Sequence, residues 1–391
     1  MVRYKSMMKT ILLGILGLLI GIGVAFLIKT YQPIIAHQQA VQKEAQLPKQ
    51  VIGFLPYWLL SKAKPDYSSS LTTLTYFGLT VGSDGHIVKL TSPTETDPGW
   101  NALDSGIFNP FLTSAQSHHM KTSLLIDSGS VDAINQMVIN PTEHANNLMT
   151  DVLPVMKQYG FSDLNLDIEY TQDASPAAQT GFTQFVKTVK QQLATNHAGT
   201  LTVEISPTDV IRHELINVQD MGNLADTVVL MAYDYHSTAS TVTGPVAPQN
   251  GAGTSLEYDV ATAVEKAKQG IPSQKLILGL PLYGYEWETL TNTPRAAIIP
   301  GTGLTASSMR VQSLLTSCST CNASYNSEAQ ELFVTYKDPT TGTYHQFFVP
   351  NENSMKAKIS FANDQELGGL ALWALGYEDN SMLEPLTAYI K

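Results

Sequence analysis

The stretch DLNLDIEY, residues 163–170, alternates without a break: Leu164, Leu166 and Ile168 point one way, and Asp163, Asn165, Asp167 and Glu169 point the other. Period two belongs to a strand, so the segment reads as one β-strand with an apolar face and a face of three carboxyls and an amide. Such a face is either wetted by solvent or enclosed by the fold in a site where carboxylates do chemistry. The neighbouring segments decide which fold surrounds it.

Seven further strand-like runs share its character: 51–58, 74–81, 122–129, 201–207, 227–235, 275–284 and 368–375. Helical patterns lie between several of them. PTEHANNLMTDVLPVMKQYG precedes the acidic strand and stops at Gly160, AAQTGFTQFVKTVKQQLATN follows it, and SLEYDVATAVEKAKQG offers Ser255 as an N-cap and Gly270 as a stop. Strands alternating with helices imply parallel βαβ units, and eight of them predict an α/β fold, a (β/α)8 TIM barrel, over a doubly wound open sheet. Residues 285–367 are too many for one connection, and ELFVTYKDPTTGTYHQFFV within them has the form of a β-hairpin. An α+β insertion between strands seven and eight is therefore expected at about 290–355.

The N-terminus stands apart. Residues 11–28 are 18 consecutive apolar or glycine residues, about 27 Å as a helix at 1.5 Å per residue, which just spans a bilayer core. Arg3, Lys5 and Lys9 precede this run, so a transmembrane anchor would leave the N-terminus in the cytoplasm and residues 50–391 outside. A cleaved signal peptide is the rival reading, although KTYQPIIAHQQAVQ offers no clean cleavage site. Residues 29–49 read as a polar linker. The net charge of −11 and the lack of a Lys/Arg cluster beyond the first residues exclude nucleic acid as an expected partner. Cys318 and Cys321, the two cysteines, predict a local disulfide more readily than a redox motif. Nothing has metal-ligand spacing, and no cofactor is expected.

In a barrel, active sites sit at the C-terminal ends of the strands. Glu169 then meets the substrate, with Asp167 beneath it, and two adjacent carboxyls resist ionising together, which keeps a general acid protonated. At this point the residues form a known pattern. SDLNLDIE (162–169) resembles the DGxDxDxE strand of glycoside hydrolase family 18, the chitinase-like (β/α)8 barrels. MAYDYH (231–236), LGLPLYG (278–284) and GGLALWAL (368–375) resemble that family's strands six, seven and eight. Ser162, Asp163 and Asn165 depart from the motif's first Asp, Gly and middle Asp, and an Asn at the middle position resembles the bacterial spore-cortex and cell-wall branch.

The resemblance implies a glycosidase acting beside N-acetylglucosamine in peptidoglycan or chitin-like glycans, by substrate-assisted retention. It implies Glu169 as acid and base, Asp167 as the group that orients the substrate acetamide, and Tyr233 as donor to the acetamide carbonyl. Trp373 becomes the floor under the sugar, and Asp234 and Tyr283 become sugar contacts. Asn165 is either a hydrogen-bond bridge under Asp167 or a direct substrate contact. The alternative function is a non-catalytic, lectin-like glycan binder on the same barrel.

Overall fold

The computed structural model describes residues 48–391 apart from His213, together with Lys29. The expected anchor at 11–28 lies outside the described residues, and among these no helix is long and apolar enough to cross a membrane. Lys49–Lys391 forms one compact unit.

All eight expected strands are present: β1 (Gln50–Pro56), β2 (Thr73–Thr80), β3 (Lys121–Ser128), β4 (Asp163–Ile168), β5 (Thr200–Ile205), β6 (Thr227–Leu230), β7 (Leu276–Pro281) and β8 (Gly369–Trp373). They close into a parallel barrel in chain order, with β8 paired to β1. Leu164, Leu166 and Ile168 of β4 belong to the outer core, which also holds Leu148 of the helix Pro141–Tyr159 and Phe182 and Phe185 of the helix Pro176–Thr195. These helices begin and end as their sequences dictate. The Ser175 hydroxyl accepts from the Ala178 N–H (3.2 Å), and Gly160 takes the left-handed conformation (φ 74°) that closes the first.

The barrel interior divides into two halves. Ile52, Phe54, Leu125, Val229, Ile277 and Ala371 make a small apolar cluster, mainly from β1, β6, β7 and β8. On β2 to β5 the buried polar residues Thr75, Ser123, Asp163, Asn165, Asp167, Thr202 and Glu204 take its place. The acid face of DLNLDIEY is therefore enclosed from Asp163 to Asp167, and Glu169 at its end reaches solvent.

Four boundaries differ from the sequence reading. β4 stops at Ile168, so Glu169 and Tyr170 lie beyond it. The run 227–235 keeps only Thr227–Leu230 as strand, because Ala232 and Tyr233 fold back onto the carbonyls of Leu230 and Met231 (both 2.8 Å) and Asp234 turns left-handed at φ 59°. The helix expected from Ser255 begins instead at Val260 under the Asp259 side chain, which accepts the Thr262 N–H at 2.7 Å. Proline also ends β7: Pro281 has no N–H to continue a ladder, and the insertion starts at Tyr283 rather than near 290.

The insertion is a five-stranded antiparallel sheet in the order Leu304–Ser307, Tyr283–Thr289, Tyr344–Val349, Glu331–Lys337, Asn322–Asn326, with the helix Ser308–Ser317. Cys318 and Cys321 are disulfide-bonded at the end of that helix, with their Cα atoms 5.5 Å apart, as expected. Two buried charges, one on the sheet and one on the helix Glu352–Asp364 after it, fasten the insertion to the segment after β6. Glu331 accepts the Val246 and Ala247 N–H groups (2.9 and 2.5 Å), and Lys358 donates to the Ala247 carbonyl (2.7 Å). Removing the carboxylate would orphan two buried N–H groups and leave Lys358 without its compensating charge. Glu331→Ala is expected to cost about 3–5 kcal/mol of stability in urea unfolding, whereas a loss below about 1 kcal/mol would show that the sheet is fastened elsewhere.

Candidate active site

Glu169 stands at the C-terminal end of β4, its N–H donating to the Ser128 carbonyl at 2.9 Å. With Tyr233, Asp234, Ser206, Thr208 and Met231 it lines a cavity of about 290 Å³. The residue as a whole reaches solvent, yet the protein around its carboxyl displaces water and so raises its pKa, with the Asp234 charge adding to the effect. Asp167 lies beneath, 6% exposed. Burial, then the charges of Glu169 and Asp127, hold Asp167 well above the usual carboxylate range.

The parallel register explains the crowding. Asp127 of β3 pairs with Asp167 of β4. On the other side Asn165 pairs with Thr202 and Leu166 with Val203, so the next step along brings Glu204 of β5 beside Asp167. Three carboxyls thus sit side by side on three consecutive strands. Glu204 is 2% exposed and accepts the Asn165 amide N–H at 2.7 Å. Burial, then Asp167, pushes its pKa well up. The Asn165 side chain thus bonds sideways to Glu204 and not up to Asp167; its own Oδ1 and the Asp167 Oδ1 have no hydrogen-bond partner. Asp163, at the bottom, accepts from the hydroxyls of Thr200 (2.5 Å), Ser123 (2.6 Å) and Thr202 (3.0 Å).

Across the cavity, the Tyr233 ring packs where β7 has no side chain. A Cβ on Gly279 would lie 2.7 Å from the Leu230 carbonyl oxygen and 3.1 Å from the Tyr233 ring. Burial, then the charges of Glu204 and Asp167, raises the Tyr233 pKa and keeps the phenol a neutral donor. Asp234 holds its left-handed backbone by accepting two phenols on one oxygen, from Tyr283 at 2.6 Å and Tyr285 at 2.7 Å. Both tyrosines come from the first insertion strand, so Tyr283 is a buried supporter of Asp234 at this point. Trp373 ends β8, is joined to Ala374 by a cis peptide, and packs against Phe77 (4.9 Å), Phe54 (6.1 Å) and Trp58 (6.2 Å).

The structure brings Glu169, Asp167, Asn165, Tyr233 and Asp234 together, puts Tyr283 behind Asp234 and leaves Trp373 at the end of β8 among Phe54, Phe77 and Trp58. It adds Asp127, Glu204, Tyr285 and Trp58, which sequence reading missed. Asp127 and Trp58 were available as polar or aromatic residues at the C-terminal ends of runs 122–129 and 51–58. Glu204, in the middle of LTVEISP, carries the same signal as Asp167, an acid at an inward position.

A closed (β/α)8 barrel with a carboxyl-lined cavity at the C-terminal ends of its strands is an architecture of enzymes that act on small or extended substrates at the barrel mouth. Residues 50–378 match the model of the glycosyl hydrolases family 18, and the chain belongs to that family. It is 23% identical over 314 residues to a cortical fragment-lytic enzyme of Bacillus anthracis, covering 78% of this chain and 65% of that protein, so it spans just under two-thirds of that relative's length. Among solved structures, the Bacillus megaterium spore cortex-lytic enzyme SleL superposes with a TM-score of 0.70 at 20% identity, over 88% of this chain and 74% of that one. An Ostrinia furnacalis Group IV chitinase superposes with a TM-score of 0.75 at 21% identity, over 88% and 99%. At these identities the structural likeness establishes the fold.

Asp127 gives the cluster a measurable pH signature. Burial, opposed by the Thr80 hydroxyl, raises its pKa to about 6. A carboxyl raised in the fold favours folding while it is protonated, so its stabilising contribution is full below pH 4 and is lost as pH rises through 6. Between pH 4 and pH 8 the stability of the wild type should fall relative to Asp127→Asn by about 3 kcal/mol, the value of roughly two pKa units. A difference between the two proteins that is flat with pH would mean that Asp127 is ionised throughout.

Proposed function

We propose that the chain hydrolyses β-1,4 glycosidic bonds beside N-acetylglucosamine, in peptidoglycan or a chitin-like glycan, with retention assisted by the substrate's own acetamido group. The observation that carries this reading is the placing of Glu169, just past the end of β4, over Asp167 of that strand, with the neutral Tyr233 phenol facing them.

Glu169, kept protonated by its surroundings, gives its proton to the glycosidic oxygen as the bond to the anomeric carbon breaks. The acetamido carbonyl oxygen attacks that carbon and forms an oxazolinium ion. Asp167 accepts the acetamido N–H and stabilises the cation, while Tyr233 donates to the attacking carbonyl oxygen. Ionised Glu169 then takes a proton from water as the water oxygen adds to the anomeric carbon, which breaks that carbon's bond to the acetamido oxygen and restores the acetamide. Trp373, with Trp58 and Phe77 against it, gives the C–H face of the sugar an aromatic surface. Asp234, the carboxyl on the opposite wall, is poorly suited to be a covalent nucleophile because two phenols occupy one of its oxygens. The names of the relatives, a cortical fragment-lytic enzyme and a chitinase, support both glycans as substrates. The acid, the acetamide-orienting carboxyl and the phenol favour this reading over a lectin-like binder.

Glu169→Gln keeps the shape and removes the transferable proton, so kcat should fall at least about 100-fold while glycan binding persists. Two oligosaccharides differing only in N-acetylation of the sugar on the glycon side of the bond should differ in kcat by several orders of magnitude. Equal cleavage of both, or a glycosyl ester trapped on Asp167, would rule out assistance by the substrate.

We propose further that residues 11–28 anchor the enzyme with its barrel outside the cell, a reading supported by the apolar run and by Arg3, Lys5 and Lys9 before it. Protease added to intact protoplasts should then remove the barrel; protection would reverse the orientation, and a soluble form beginning near residue 40 would indicate cleavage.

A further inference from the structure

The motif that β4 resembles carries a carboxyl where this chain has Asn165, and a carboxyl from the next strand touches that amide. We propose that Glu204 supplies the missing carboxyl from β5 and shares one proton with Asp167, acting as a positioning residue that lets Asp167 change its charge during the reaction. This inference rests on the glycosidase reading above.

The hydrogen bonds point to it. Asn165 donates to Glu204 at 2.7 Å, which fixes the amide and turns its oxygen away from Glu204. That oxygen has no donor, and the Asp167 Oδ1, two residues along the same face, has none either. A proton on the Asp167 Oδ1 would provide the donor that the amide oxygen lacks, with Glu204 ionised and accepting the Asn165 N–H. Two negative charges at adjacent register positions in an interior this dry would repel strongly, so the pair holds a single charge.

In the reaction Asp167 must become an anion toward the acetamido N–H and the cation formed next to it. Its O–H bond breaks and an O–H bond forms on Glu204, which leaves the pair's total charge unchanged and needs no other reactant. The titratable groups facing Glu204 are Asp163, Asp167 and Glu169 from β4 and Tyr233 from the segment after β6. Asp209, Arg212 and Glu214 line the cavity that it reaches with Glu169. None of the ion pairs among the described residues includes Glu204, Arg212 being no exception. No cation among the described residues is thus paired with Glu204 to hold it ionised.

Glu204→Gln keeps an oxygen for the Asn165 N–H but cannot take up the proton. On an N-acetylated oligosaccharide its kcat should fall at least tenfold with KM changed less than threefold, and kcat should acquire an acid limb absent from the wild type, as Asp167 must now ionise against solvent. The exchange Asn165→Asp with Glu204→Gln restores one amide and one carboxyl, and should recover at least fivefold in kcat and lose the new limb. The proposal is overturned if Glu204→Gln stays within twofold of the wild type, if it slows without a new limb, or if the exchange is no faster than the single variant while melting near the wild type. Should the single variant not fold, the exchanged protein decides against the wild type directly: a matching acid side supports the proposal, and a new limb overturns it. A wild type unable to cleave the oligosaccharide would defeat the glycosidase reading, and this one with it. An active wild type indifferent to Glu204 defeats this one alone.

Discussion

The constraint on which the rest depends is the burial of carboxyls inside a parallel barrel with no cation among them. Asp127, Asp167 and Glu204 stand side by side on β3, β4 and β5, and none of them takes part in an ion pair among the described residues. The three carboxyls could not all ionise together there at low cost, so the cluster keeps part of its protons. The hydroxyls of Ser123, Thr200 and Thr202 on Asp163 and of Thr80 on Asp127 soften the penalty lower down and to one side. The opposite half of the interior, built on Ile52, Phe54, Val229, Ile277 and Ala371, is ordinary apolar packing. The barrel is thus stabilised on one side and chemically equipped on the other.

A second division runs between barrel and insertion. The barrel supplies Glu169, Asp167 and Trp373 from the ends of its own strands. The insertion contributes no carboxyl to the cavity, yet Tyr283 and Tyr285 hold Asp234 in a backbone conformation that an aspartate seldom adopts. The charge that helps raise the Glu169 pKa is therefore positioned by a different sheet from the one that leads to Glu169.

Much of this was legible in the chain. Strand identity followed from period two and from continuous apolar runs, and the order of strands and helices left few topologies open. Glu169, Asp167 and Asn165 could be read because one short alternating segment displays all three. Glu204 and Asp127 could not be tied to them, since lateral register between parallel strands is set by barrel closure and has no signature within either segment. Tyr285 was hidden for a related reason. Its run continues β7 in sequence, and only the proline at 281 marks the point where one sheet ends and another begins. The end of β6 was misread because Asp234 breaks the strand by a backbone choice that side-chain patterning does not record.

The attachment of the insertion has an engineering consequence. Leu282 alone separates the last residue of β7 from the first of the insertion sheet, and its N–H is bonded to the Trp373 carbonyl at 2.7 Å. Trp373, the end of β7 and the root of the added sheet are therefore joined at one residue. A shortened chain made by excising the insertion would lose both phenols from Asp234 and would be cut next to the residue that holds the Trp373 carbonyl.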